Sequence, residues 1–163
     1  LYYGDEVGMW GANDPDDRKP MLWSDIAYDD ERALPDGTMR PLNQVDVVEI
    51  NSALRSYYKK MIAIRNTHQS LQVGDYKTLL ADDVNNLFAF QRQLGDETIW
   101  IILNNSNVAQ KVCLPRMGYD EFEDILNEQS YGWHQGDLEI NIPAKQAAVL
   151  NAIKIPLNTS YLK

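Results

Sequence analysis

The chain has 163 residues, 44% hydrophobic and 24% charged, with a formal net charge of −9. That length closes one large domain, or a small domain with a piece of another, and the composition is that of ordinary globular material. The acidic balance argues against a nucleic-acid partner, which needs clustered Lys and Arg, and no stretch approaches the roughly 20 apolar residues that span a bilayer.

The first eighteen residues, Leu1-Tyr-Tyr-Gly-Asp-Glu-Val-Gly8 and then Asn13-Asp-Pro-Asp-Asp-Arg18, read as the end of a folded unit. An apolar, aromatic stub without an initiator Met meets a glycine at once, so the chain is expected to be the C-terminal piece of something larger. A missing signal peptide is then uninformative, and the compartment stays open, with a periplasmic or secreted location favoured over a cytoplasmic one. Asp5 and Glu6 read as neighbours on an extended strand. Their side chains would point to opposite faces and form no converging acid–base pair. Residues 9 to 45 are dense in Pro, Asp and Asn, with Gly11 and Gly37 among them. They predict a long loop of little regular structure, a kind of segment that in compact domains tends to carry function.

From Asp46 the pattern changes. Val47, Ile50, Leu54, Tyr57, Met61 and Ile64 recur at intervals of three and four and predict one helix ending near Thr67. Asp46 with Glu49 has the form of a capping box, and Asn51 is an equal candidate for the N-cap. After Gly74 the period becomes two. Seven short strands are predicted, at 76–80, 86–94, 98–104, 110–114, 123–126, 138–142 and 147–153, separated by turn chemistry such as Asp82-Asp83 and Gly95-Asp96. The expected fold is mainly β, an antiparallel sandwich or barrel. The single cysteine, Cys113, alternates with Val112 and Leu114 and reads as a small buried hydrophobe, with no disulfide or cysteine metal site possible within one chain. The boundary falls near Gln69 to Gly74, giving domains 1–70 and 71–163. One helix behind a loop cannot bury its own stripe, so the first segment must pack on the sandwich or on chain outside this sequence.

Tyr2-Tyr-Gly-Asp-Glu-Val-Gly8 followed by Asn13-Asp-Pro-Asp-Asp-Arg-Lys-Pro-Met-Leu-Trp23 resembles the eighth-strand region of the α-amylase family of glycoside hydrolases, in its neopullulanase, cyclomaltodextrinase and α-glucosidase branch. Leu54 to Arg65 resembles the last barrel helix. Gly74-Asp-Tyr76, Leu87 to Arg92 and Ile101 to Asn105 resemble the sandwich that follows the barrel. The resemblance implies an antiparallel β-sandwich preceded by a long loop and one helix left from the end of a (β/α)8 barrel. It also implies a parent enzyme that cleaves α-glucosidic bonds with a carboxylate nucleophile and a carboxylic acid roughly 5 Å apart. In the family those residues, and a further Asp, lie on the fourth, fifth and seventh barrel strands. All would precede Leu1, so no catalytic residue is expected in this chain; its implied partners are an α-glucan oligosaccharide and the missing barrel.

Asp14 and Arg18 are the leading site candidates. The resemblance implies that an Asp and an Arg at this Asp-Pro-x-x-Arg spacing bind hydroxyls of a glucose unit on the non-reducing side of the cleaved bond. The chemistry suits the task, since a guanidinium fork and a carboxylate offer donors and acceptors in fixed geometry. The plainer reading is a salt bridge that braces the loop, with Asp16 and Asp17 solvating the turn. Trp10 is a candidate sugar-stacking platform near the cleft, Trp23 a structural residue. Trp100 is expected in the core and Trp133 exposed. His68 and His134 have no partner at metal-ligand spacing, the Asp82-Asp83 and Asn104–Asn107 clusters lack calcium-loop spacing, and no cofactor is called for. The competing reading is a non-catalytic carbohydrate-binding or structural sandwich, favoured if aromatics line an exposed sheet face.

Overall fold

A computed structural model describes residues 2–11, 14, 17–115, 117–134 and 136–154, with the backbone alone at Trp133 and His134. Leu1, Asn13, Pro15, Asp16 and the side chains of Trp133 and His134, named above, lie outside the described residues. The chain forms two compact units, Leu1–Met61 and Ile62–Lys163.

In the first unit Asp5–Val7 is a short 3-10 turn rather than a strand. It is flanked by Gly4 and Gly8, whose φ of 92° and 75° turn the chain in a way other residues rarely accept. A Cβ on Gly4 would also stand 2.5 Å from Met9 Sδ. Asp5 and Glu6 serve this turn. Asp5 Oδ2 accepts from the Tyr2 N–H at 3.0 Å, and Glu6 Oε2 from the Gly4 N–H at 3.1 Å. The long loop holds two isolated antiparallel bridges, Glu31↔Asp46 and Ala33↔Met39. Its tip closes around Asp36, which accepts from the hydroxyl and then the amide of Thr38. Those two donors hold the Asp36 carboxyl below its usual range.

Helix α1 spans Ser52–Thr67. It starts later than the predicted stripe because Asn51 supplies the cap: its Oδ1 accepts from the Leu54 N–H at 2.9 Å. Asp46 is engaged elsewhere, in the bridge to Glu31 and an ion pair with Arg40. No residue of α1 is buried. Leu54, Tyr58, Met61 and Ile64 are half-buried, whereas Tyr57, assigned to the stripe from sequence, is 47% exposed.

After the last turns of α1, the second unit carries an unpredicted short helix, α2 (Gln69–Val73). Nine strands follow: β1 (Asp75–Asp82), β2 (Leu87–Leu94), β3 (Glu97–Asn104), β4 (Gln110–Pro115), β5 (Glu121–Asp124), β6 (Gln129–Tyr131), β7 (Trp133–His134), β8 (Asp137–Ile142) and β9 (Ala147–Ile153). They make a six-stranded sheet ordered β1-β2-β3-β9-β5-β6 and a three-stranded sheet ordered β4-β8-β7, with every pairing antiparallel. All seven predicted strands exist, although β5 sits two residues earlier than its prediction. The carboxylate of Asp124, wholly buried, ends β5: it accepts from the N–H groups of Leu126 and Asn127 and makes 124–128 a turn. The unpredicted β6 and β7 are three and two residues long, too short for a period to register.

β2, β3, β4, β5, β8 and β9 deliver one face to a common core of Leu87, Ala89, Trp100, Ile102, Val112, Leu114, Phe122, Leu138, Ile140, Ile142 and Leu150. Trp100 is 0% exposed, with Phe122 at 4.6 Å between ring centroids and Tyr119 edge-on at 5.8 Å. The alternation along β4 corrects the reading of Cys113. With Val112 and Leu114 turned inward, Cys113 faces out and is exposed. The turn reading of the polar clusters holds: Asp82 accepts from the Val84 and Asn85 amides and the Asn85 side chain, and buried Asn104 donates to the carbonyls of Val108, Ile142 and Pro143.

Candidate functional site

Arg18 reaches back to Asp14, with Nη2 at 2.9 Å from Oδ1, and both side chains are largely exposed. Next in sequence, Lys19 turns inward. Its Nζ pairs with Glu31 and stands 5.0 Å from the centroid of the Trp10 ring, while its carbonyl accepts from the Tyr3 hydroxyl at 2.9 Å. Trp10 is half-buried. It lines a recess of about 110 Å³ with Tyr2, Tyr3, Met9, Asp17 and Lys19. A cation seated over the ring satisfies its negative face and competes with any sugar stacked there. Trp23 is 56% exposed, so the structural role assigned to it from sequence does not come from burial.

Arg18 and Lys19 also line a second, larger cleft of about 510 Å³ with Asp30, Glu31, Arg32, Ala33 and Met39. Its floor is set by Glu31. One carboxylate oxygen accepts from the N–H groups of Arg32 (3.0 Å) and Ala33 (2.9 Å); the other pairs with Lys19. Sequence patterning missed this segment because the order comes from one side chain bracing a loop, not from a repeating period. Trp10 and Arg18 therefore open onto different recesses, with Lys19 common to both.

In the second unit His68 takes the helix-end role expected of it. Its Nδ1 lies 2.8 Å from Glu97 Oε1, and Glu97 Oε2 accepts from the Ser70 N–H at 2.6 Å. Burial raises the Glu97 carboxyl, but the Ser70 amide and His68 outweigh it and the net displacement is downward. Among the described residues no group of three or more His, Cys, Asp or Glu side chains gathers as a metal site would need. No helix there is long and apolar enough to cross a membrane.

The six-stranded sheet carries an unforeseen feature. Tyr76, Phe88 and Phe90 form a run of rings on the face away from the core, with centroids 5.3 and 5.7 Å apart. Tyr76 is 55% and Phe88 36% exposed.

Residues 76–149 match the family model described as Maltogenic Amylase, C-terminal domain. Neopullulanase 2 of Thermoactinomyces vulgaris is 32% identical over 152 residues, covering 92% of this chain, which in turn spans only 22% of that protein. A cyclomaltodextrinase of Geobacillus thermopakistaniensis is 36% identical over 115 residues, 71% of this chain and 16% of its own length. The solved α-amylase of Anoxybacillus shares the fold, with a TM-score of 0.68 at 24% identity over 96% of this chain and 29% of that one. The sandwich is thus a maltogenic-amylase C-terminal domain, and the chain belongs to the C-terminal part of the α-amylase family of glycoside hydrolases.

Proposed function

We propose that this chain is the C-terminal part of a retaining α-glucan hydrolase acting on starch-like oligosaccharides, with its catalytic carboxylates on chain outside this sequence. In this reading residues 1–70 are the end of the catalytic barrel and 71–163 the sandwich that follows it. Asp14 and Arg18 contribute to a sugar subsite on the non-reducing side, with Trp10 beside it. The supporting observation is the exposed Asp14–Arg18 pair at 2.9 Å. An exposed ion pair adds little stability, so bracing the loop is a poor reason for it, whereas a pre-paired guanidinium and carboxylate suit a sugar hydroxyl. In the full-length enzyme, Arg18→Ala or Asp14→Ala should lower kcat/KM roughly ten- to hundredfold for long maltooligosaccharides, the worth of a charge-assisted hydrogen bond. Equal loss for every chain length together with a lower Tm would make the pair a brace and end the subsite assignment.

The Tyr76–Phe90–Phe88 run favours a second reading, in which the sandwich itself binds polysaccharide. Retention of the chain on insoluble starch should then fall on Tyr76→Ala and Phe88→Ala. Unchanged retention would leave these rings as surface packing alone.

A further inference from the structure

Among the described residues of the large cleft, Arg32 is the cation left without a partner. Arg18 is paired with Asp14 and Lys19 with Glu31. No hydrogen bond or ion pair of the Arg32 side chain is recorded among the described residues, and its Nε is buried without a partner. A guanidinium cannot shed its charge, and a buried donor left unmade costs free energy, so a side chain held this way is available to a ligand. Its backbone is well fixed. The Arg32 N–H donates to Glu31, its carbonyl accepts from the Arg40 N–H at 2.8 Å, and it stands between the Glu31↔Asp46 and Ala33↔Met39 bridges.

We propose that Arg32 and Asp30 form a further sugar-binding position in this cleft, next to the one assigned to Asp14 and Arg18. The charge balance names the ligand class. With the two ion pairs set aside, Arg32 and Asp30 leave one positive and one negative group. That pair favours a neutral polyhydroxylated molecule, to which one donates and from which the other accepts; an anion would meet Asp30 and Glu31 as well as the cations. Ala33 and the exposed Met39 add an apolar patch for the C–H face of a pyranose, and about 510 Å³ falls within the usual range for a small-molecule site. The choice of glucose units rests on the proposed α-glucan activity; the free Arg32 does not.

The test uses the full-length protein and thio-linked maltooligosaccharides of three and seven units, which a glycosidase does not cleave, with binding followed by calorimetry. Arg32→Met keeps the aliphatic stem and removes the guanidinium with its orphaned Nε–H. It should weaken the seven-unit ligand about tenfold, leave the three-unit ligand within twofold, and keep or raise the Tm. Arg32→Lys should recover part of the loss. Equal weakening at both lengths, no weakening, or no binding by the wild-type protein would overturn the proposal. Arg18→Ala in the same series separates the two ideas. A length-dependent loss there with none at Arg32 keeps the Asp14–Arg18 subsite and removes this one, and the reverse pattern does the opposite.

Discussion

At the scale of single residues, the positions that matter most are those where a backbone passes too close for a side chain. Gly74 joins α2 to β1 in ordinary extended geometry, yet a Cβ there would lie 2.6 Å from the Ser70 carbonyl oxygen and 2.7 Å from that of Gln93. The Gly74 carbonyl is also gripped by Arg92, through Nε at 3.1 Å and Nη2 at 2.7 Å. Both clashes are with backbone, which cannot swing away. Gly74→Ala should therefore lower stability by about 2 kcal/mol, a typical overpacking cost, read as a lower denaturation midpoint with an unchanged slope. A variant as stable as the parent would show that the joint can open. The sequence announced a glycine after a helix but not its reason, since a close approach depends on Gln93, nineteen positions on. Asp14 and Arg18 were legible as a spaced pair, and Trp100 as core, because both readings need only local pattern. Arg32 was not legible: its isolation follows from where Glu31 and Lys19 spend their charges.

At the scale of elements, helix α1 and the seven longer strands were readable, and the junctions and the short elements α2, β6 and β7 were not. The period of two runs through β2, β4, β5 and β8 because each buries alternate residues, whereas the central β3 and β9 bury three in a row, 98–100 and 148–150. The stripe that predicted α1 was real in part, but hydropathy alone cannot tell a helical turn from the irregular 46–50 that precedes Asn51. The helix α2 is tied down by Glu97 at the start of β3, which links His68 and Ser70 to the sheet. The Glu97 carboxyl is held below its ordinary value in the folded chain, so the fold favours the charged form. The stability it contributes is present above the unfolded value of about 4.3 and is lost as pH falls through the lowered folded value. Thermal melting should show this acid-side loss, and Glu97→Gln should flatten it. At neutral pH the substitution should cost about 1 kcal/mol, discounted for partial exposure. An unaltered acid-side slope in the variant would assign that slope to other groups.

At the scale of the whole molecule, the sandwich closes a core of its own and the first unit is a set of braces around a loop. Five of its carboxylates are occupied locally: Asp5 and Glu6 in the 3-10 turn, Asp14 with Arg18, Glu31 with Lys19, Asp46 with Arg40. None of these arrangements offers the paired acid and nucleophile that glycoside cleavage needs. The isolated 163-residue chain should accordingly release no reducing sugar from maltoheptaose or cyclodextrin above the buffer blank. Turnover abolished by changing a carboxylate within residues 1–163 would show that the chemistry does reside here.

The unequal sheets have one more consequence, for how this unit keeps to itself in a crowded solution. A two-sheet sandwich has four lateral edges, and any long unpaired edge invites a strand from another copy. Two of the four, β6 and β7, are only three and two residues long. The two longer ones each carry an interruption. In β1 the register slips between Thr78 and Leu80, beside the outlying charge of Lys77. In β4 Lys111 is held by Glu139 at 2.7 Å, and the strand ends on Pro115, which has no N–H to offer. A strand arriving at either edge meets an exposed lysine that it would have to desolvate and a broken ladder within a few residues, so the price of adding one is paid before the pairing can lengthen.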